Sequence, residues 1–187
     1  MSLTLFVGGI HGVGKSTFSR ELCTLIGASH VTAGELIREN ATGMDRLTIG
    51  GKAVPSVDAN QRLLLRGLEL YRARVAGPIL LDGHFALLGP TGGILEIPVA
   101  VYEAIAPAGV ILIEAKLATV HARLLKRDGT APPEVTLAEL AKGERSNAER
   151  VCAHLGISLW AACGDASPHE AAASVAPSVR VLLGGVA

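Results

Sequence analysis

Leu3-Thr4-Leu5-Phe6-Val7-Gly8-Gly9-Ile10-His11-Gly12-Val13-Gly14-Lys15-Ser16-Thr17 is the stretch that decides the fold. Leu3–Val7 is a short apolar run, as a strand covered on both faces requires. Lys15–Ile26 places Phe18, Leu22 and Leu25 at helical spacing. Between them, Gly9-Ile10-His11-Gly12-Val13-Gly14-Lys15-Ser16 fits G-x-x-x-x-G-K-[ST] at every fixed position, in the strand-to-helix context the motif needs. Glycines let consecutive backbone N–H groups turn inward around phosphates. The helix N-terminus adds a positive dipole. Lys15 then reaches the β- and γ-phosphates of ATP, and the Ser16 hydroxyl ligates Mg²⁺. His11, Gly12, Val13 and Thr17 complete the nucleotide-contacting run. The competing account, a glycine-rich turn of no function, has to match both the spacing and the context by accident.

Outward from this loop, short apolar runs alternate with longer amphipathic stretches, the pattern of βαβ units around a parallel sheet. Further strands are expected at Ser29–Thr32, Ile79–Leu81, Val110–Ile113 and Ile157–Ala162. Helices are expected at Ala33–Glu39, Val57–Val75, Val99–Ile105, Lys116–Arg127, Thr136–Leu155 and Pro168–Leu183. Thr136 and Glu139 form a candidate capping box, and Pro177 a candidate break in the last helix. Ala41–Ser56, with its glycines and a proline, reads as loop, as do Gly89–Gly93 and Asp128–Pro133. Right-handed crossovers then give one three-layer α/β domain over residues 1–187, a P-loop NTPase fold with a five-stranded parallel sheet and helices on both faces. Ligands bind beyond the carboxyl ends of such strands.

Asp82 ends the apolar run Ile79-Leu80-Leu81, where a carboxylate stands near Mg²⁺ or one of its waters; the other account is a turn aspartate. His84 follows, either touching the transferring phosphate or an acceptor, or solvated in the turn. Arg123 and Arg127 share a helix face. One could stack on the base and the other pair with phosphate, or both could be a solvated basic helix end. The remaining histidines show no metal-ligand spacing, and Trp160 alternates along its strand as a core residue does.

Together, the P-loop, Asp82-Gly83-His84 and Arg123-x-x-x-Arg127 resemble the nucleoside monophosphate kinases, nearest to the archaeal-type adenylate kinases. The resemblance implies an acceptor segment at Thr32-Ala33-Gly34-Glu35-Leu36-Ile37-Arg38, with Arg38 on the acceptor phosphate and Thr32 and Gly34 beside it. Val57-Asp58-Ala59-Asn60-Gln61 is similar to the start of the acceptor-side helix, with Gln61 at a recurring glutamine. Asp82-Gly83-His84, Gly89-Pro90-Thr91-Gly92-Gly93 and Ile97-Pro98 follow the archaeal-type order, and Gly164-Asp165-Ala166 falls where the loop beside adenine belongs. The acceptor side then covers about residues 33–76 and a short lid about 127–134. The chain departs from the pattern twice. Ala33 occupies the family's Thr position, and the lid Lys126–Pro133 lacks the paired arginines.

Phosphoryl transfer spreads charge over the equatorial oxygens, so a cation is needed from elsewhere. Arg145 borders the apolar stripe drawn through Ala141, Ala148, Cys152 and Leu155, and is the candidate to swing in; pairing with Glu149 is the plain alternative. Arg150 points away.

The sequence has 187 residues, 49% apolar and 18% charged, enough for a substantial core that must rest on aliphatic side chains because aromatics are only 3%. Zero formal net charge disfavours a nucleic-acid partner and offers no attraction to anionic membranes. No apolar run approaches the roughly 20 residues of a membrane span. Three scattered cysteines fit buried thiols in a reducing compartment, so the expected location is cytoplasmic. The expected function is a small kinase moving the γ-phosphoryl of Mg-ATP to a nucleotide or similar small acceptor. A nucleotide-dependent switch or ATPase is the second reading, favoured by the missing lid arginines. A kinase of nucleic-acid ends is the third, opposed by the charge balance.

Overall fold

A computed structural model describes residues 2–41, 57–89 and 92–184. In chain order it holds β1 (Thr4–Gly8), α1 (Lys15–Ile26), β2 (Ser29–Thr32), α2 (Ala33–Asn40), α3 (Val57–Arg74), β3 (Ile79–Asp82), β4 (Ala86–Leu88), β5 (Ile94–Glu96), α4 (Val99–Ile105), β6 (Gly109–Glu114), α5 (Leu117–Asp128), α6 (Glu134–Leu155), β7 (Ser158–Cys163) and α7 (Pro168–Leu182). The main sheet has the order β2-β3-β1-β6-β7, with every pairing parallel. This is the five-stranded sheet the alternation of apolar runs predicts.

Both faces of the sheet are covered, which explains why β1, β3 and β6 are nearly continuous apolar runs. Leu5, Val7, Leu80, Ile111 and Ile113 pack on one side with Phe18, Leu22 and the alanine-rich face of α7. Phe6, Ile79, Leu81, Val110 and Leu112 pack on the other with Leu36, Leu64, Leu68 and Tyr102. Helix α6 borders both cores: Leu137 and Leu140 join the first, Ala148, Val151 and Cys152 the second.

From β1 the chain runs first to β2 and β3 on one side, then crosses to β6 and β7 on the other. The reversal opens a crevice at the carboxyl end of β1. Val7 is in register with Asp82 there, so the phosphate loop and the strand-end carboxylate emerge side by side.

Two local expectations are corrected. Helix α6 begins at Glu134 with Pro133 as N-cap, so Thr136 is a first-turn residue and not the cap. Proline presets the entry φ, and Glu134 meets the positive end of the dipole. The capping boxes that do form are Thr32 with Glu35 and Ser167 with Glu170. Pro177 does not break α7. It removes one bond, to the carbonyl of Ala173, and both residues are exposed, so the freed carbonyl is not buried without a partner.

Residues 86–96 also hold something the sequence reading missed, an antiparallel β4–β5 hairpin pairing Ala86 with Glu96 and Leu88 with Ile94. Each strand has only three residues, too short for alternation to show. Gly143 lets α6 approach this hairpin closely: a Cβ there would stand 2.9 Å from Ile94 and 3.3 Å from Ala86. Most of the expected loop Ala41–Ser56, and Pro90-Thr91 of the Gly89–Gly93 loop, lie outside the described residues. No helix among the described residues is long and apolar enough to cross a membrane.

Candidate phosphotransfer site

The phosphate loop has the backbone its glycines allow. Gly9 sits at φ +136°, where a Cβ would stand 2.5 Å from the carbonyl of Ile113, and Gly12 at φ +81°, 2.9 Å from Leu124. Such conformations bring amides inward, where side chains would obstruct them. Gly14 caps α1 without a side-chain bond, so the free N–H groups of its first turn are offered to an anion. Lys15 is buried, and its ammonium donates to the carbonyls of Gly9 at 2.6 Å and Ile10 at 3.3 Å. Burial pushes its pKa down, against the opposing charges of Asp82 and Glu144.

Asp82 is 5% exposed. Its Oδ2 accepts from the Ser16 hydroxyl at 2.8 Å, and its Oδ1 lies 4.0 Å from the Lys15 ammonium. Burial pushes this carboxyl up, but the His30 imidazole 3.7 Å away, Lys15 and the Ser16 hydroxyl outweigh it and hold the group below the usual range. An ionised carboxylate and a hydroxyl touching at the head of the loop are the hard oxygen donors that Mg²⁺ takes, so these residues fit that ion.

Beyond Asp82 the chain turns at Gly83 and is anchored by Phe85, wholly buried in a cluster with Phe6 and Tyr102. His84 is carried on that turn. The Tyr102 hydroxyl donates to its carbonyl at 2.7 Å, and its ring lies 4.2 Å from the ring of His11 in the phosphate loop. Burial, then His84, Lys15 and Arg127, push the His11 pKa down to about 4, so that ring is neutral at neutral pH.

Helix α6 supplies two buried polar side chains behind this turn. Glu144 is 1% exposed; its Oε1 lies 2.8 Å from His84 Nδ1, and its Oε2 accepts from Phe85 N–H at 2.7 Å. Asn147 donates to the carbonyls of Phe85 at 2.7 Å and Ile97 at 2.9 Å, fastening both ends of the hairpin.

A cavity of about 680 Å³ opens over these groups. It gathers His11, Gly12, Gly14, Lys15, Ser16, Thr17, Thr32, Gly34, Gln61, Asp82, His84, Arg123 and Arg127 from the residues singled out in the sequence. Away from the phosphate loop its wall is apolar, with Ile37, Leu64, Leu95, Ile97 and Val101. Arg123 bridges the carbonyls of Val13 at 3.1 Å and Gly164 at 2.9 Å, clamping the phosphate loop to the β7–α7 loop. Arg127 is held by Asp128. Five of the singled-out residues do not line the cavity, Arg145 among them. Gly9 and Val13 are backbone and core of the loop, Asp165 accepts from Lys116 N–H at 2.9 Å, and Arg38 is exposed on the last turn of α2.

The AAA domain family model matches residues 8–141, well over half of the chain. A cytidylate kinase of Pyrobaculum aerophilum is 30% identical over 161 residues, covering 84% of this chain and 77% of its own. The chain belongs to the AAA domain family, among the P-loop kinases. Solved structures agree on the fold. A gluconokinase from Sinorhizobium meliloti 1021 superposes with TM-score 0.61 at 13% identity, covering 97% of this chain and 94% of the other. A sugar kinase from Janibacter sp. HTCC2649 gives 0.57 at 16% identity over the whole of both chains.

In this P-loop kinase the structure does not bring Arg145 to the phosphate end. The stripe drawn for α6 marks one edge of the buried face: Ala148 and Cys152 are buried and Ala141 and Leu155 pack against the cores, but Leu137, Leu140, Glu144, Asn147 and Val151 are buried as well, and the face centres on them. Arg145 is exposed, and its guanidinium is paired with Glu114 and Glu149. The buried polar residue behind the site that sequence reasoning missed is Glu144. Its signal was present: it falls in step with Leu137, Leu140, Ala148 and Val151, and a carboxylate on an apolar stripe needs a partner.

Proposed function

We propose that this protein is a single-domain small-molecule kinase that transfers the γ-phosphoryl of Mg-ATP to an acceptor held in the apolar half of the cavity. The observation that carries it is the continuity of one cavity from a complete phosphate loop to an apolar wall. A hydrolase has no need of a second, ligand-sized compartment. The acceptor is a nucleotide or a similar small molecule. The adenylate-type acceptor implied by the resemblance, and the cytidylate in the relative's name, both belong to that class.

Lys15 neutralises the β- and γ-phosphates, exchanging its present carbonyl partners for phosphate oxygens. Ser16 and Asp82 hold Mg²⁺, which when bound neutralises the charge shared between those phosphates. The loop amides from Gly9 to Thr17 hold the phosphates, and Arg123, Arg127 and Asp165 mark the nucleotide side. Thr32, Gly34, Gln61 and His84 face the acceptor, and Arg38 is its outermost cation. The acceptor side spans about residues 33–76, and the lid is the short link about 127–134. The free Cys23, Cys152 and Cys163 accord with a cytoplasmic location.

One observation favours a second reading, a nucleotide-dependent ATPase or switch. Arg127 and Arg145 are both tied to carboxylates, leaving few cations for an extra phosphate. An acceptor screen separates the two. ADP release from Mg-ATP stimulated by a small molecule supports the kinase; slow hydrolysis indifferent to every acceptor supports the switch.

A further inference from the structure

The β4–β5 hairpin has two faces, and packing accounts for one of them. Ala86 and Ile94 share a face, which sits on Gly143 of α6. Leu87 and Leu95 stand directly opposite one another in the ladder, so both project from the other face. Both line the cavity, and they are 37% and 47% exposed.

The same cavity holds two unsatisfied amides. Asn60 Oδ1 and Gln61 Nε2, near the start of α3, are buried atoms without a hydrogen-bond partner among the described residues. Native proteins rarely leave buried polar atoms in this condition, because water is lost and nothing replaces it. Each amide carries both a donor and an acceptor, and its last torsion turns easily. Chain topology separates these groups from the nucleotide side. Helix α3 and the hairpin flank β3, which lies with β2 on one side of β1. Arg123 and Gly164 follow β6 and β7 on the other side.

We propose, on the kinase reading above, that Asn60, Leu87 and Leu95 are specificity-determining residues of the acceptor compartment, and that its occupant carries a flat, uncharged heterocycle. The leucines lie against the face of the ring, and the Asn60 amide, with Gln61 beside it, reads the polar edge. Such a ring fits both observations, because its faces are apolar while its edge bears donors and acceptors. A polyol or sugar acid would set hydroxyls against leucine side chains and lose their bonds to water. A plain aliphatic chain would leave the amides unpaired.

The test uses the whole protein with Mg-ATP and two acceptor panels. Cytidine, uridine, adenosine, CMP, UMP and AMP carry the ring. Ribose, ribose 5-phosphate and gluconate offer the same hydroxyl and phosphate groups without it. A ring-bearing member should stimulate ADP release at least tenfold more than any ring-free one. With that acceptor, Leu87→Ala and Leu95→Ala should each raise the acceptor KM by about tenfold, with kcat and the KM for ATP nearly unchanged. Leu95→Met keeps the apolar contact and should restore most of the loss. Asn60→Asp replaces an amide by a group that only accepts. It should shift the kcat/KM ratio of amino-bearing rings (cytosine, adenine) over uracil by about tenfold in favour of the former, which a merely structural role for Asn60 would not do. An unmoved ratio, or an equal rise in the KM for ATP in the leucine variants, overturns the proposal. So does a concentration-dependent dimer that Leu87→Ala dissolves, since a second copy would then cover this face. Stimulation by ring-free acceptors alone overturns it while leaving the kinase reading intact. Stimulation by neither panel removes the kinase reading and this proposal with it.

Discussion

Lys15 and Asp82 illustrate how much chemistry was legible one residue at a time. The complete G-x-x-x-x-G-K-[ST] run and a carboxylate at the end of an apolar strand each named a position, and the fold sets them 4.0 Å apart. Lys15→Ala should abolish turnover and weaken Mg-ATP binding without unfolding the protein, since it removes the main side-chain cation from a poorly screened site. Nucleotide-induced thermal stabilisation reads this, and an unchanged shift would contradict the assigned role. Asp82→Asn should lose Mg²⁺-dependent turnover but keep some nucleotide affinity, because the loop amides still hold the phosphates. Wild-type rates at limiting Mg²⁺ would reduce Asp82 to a turn residue. His11 carries a pH prediction. The unfolded chain takes up its proton near 6.5, while the folded protein resists until about 4, so stability should fall as pH drops through that window. Chemical denaturation across that range should show a shallower fall for His11→Gln. The ring partners of His11 and His84 were not legible, because their contact depends on where two separate loops end.

At the scale of elements, α6 carries the lesson. Its extent was readable to within two residues at one end, and the stripe through Ala148 and Cys152 is buried, yet the centre of that face was not found. Alanine alone marks a buried face weakly, and the polar Glu144 and Asn147 are buried beside Ala148. Their partners lie on the turn after β3 and on a hairpin of three-residue strands, invisible to periodicity. Asn147→Ala leaves the Phe85 and Ile97 carbonyls without these bonds in a mostly buried setting, and should cost about 2–3 kcal/mol in urea unfolding. A loss within about 0.5 kcal/mol, the usual range for surface changes, would show that the hairpin is not fastened there. Arg145→Ala removes exposed ion pairs and should cost at most about 1 kcal/mol. Its kcat should stay near wild type; a loss of about a hundredfold would mean that the guanidinium leaves Glu114 and Glu149 for the transferring phosphate.

For the molecule as a whole, the layered architecture followed from the alternation of apolar runs with amphipathic stretches, because a parallel sheet needs covering on both faces. The order β2-β3-β1-β6-β7 did not follow from periodicity, since the pairing of strands is a long-range choice. That order places the crevice over β1 and joins the phosphate loop to the apolar compartment. The central claim is that the γ-phosphoryl crosses this cavity to a second small molecule. The most direct measurement is the fate of a γ-label on ATP, followed over one turnover with and without an acceptor. The account predicts label in a new phosphorylated small molecule, formed only when acceptor is present and lost in Lys15→Ala. Label found solely as inorganic phosphate, at a rate no acceptor changes, would contradict it.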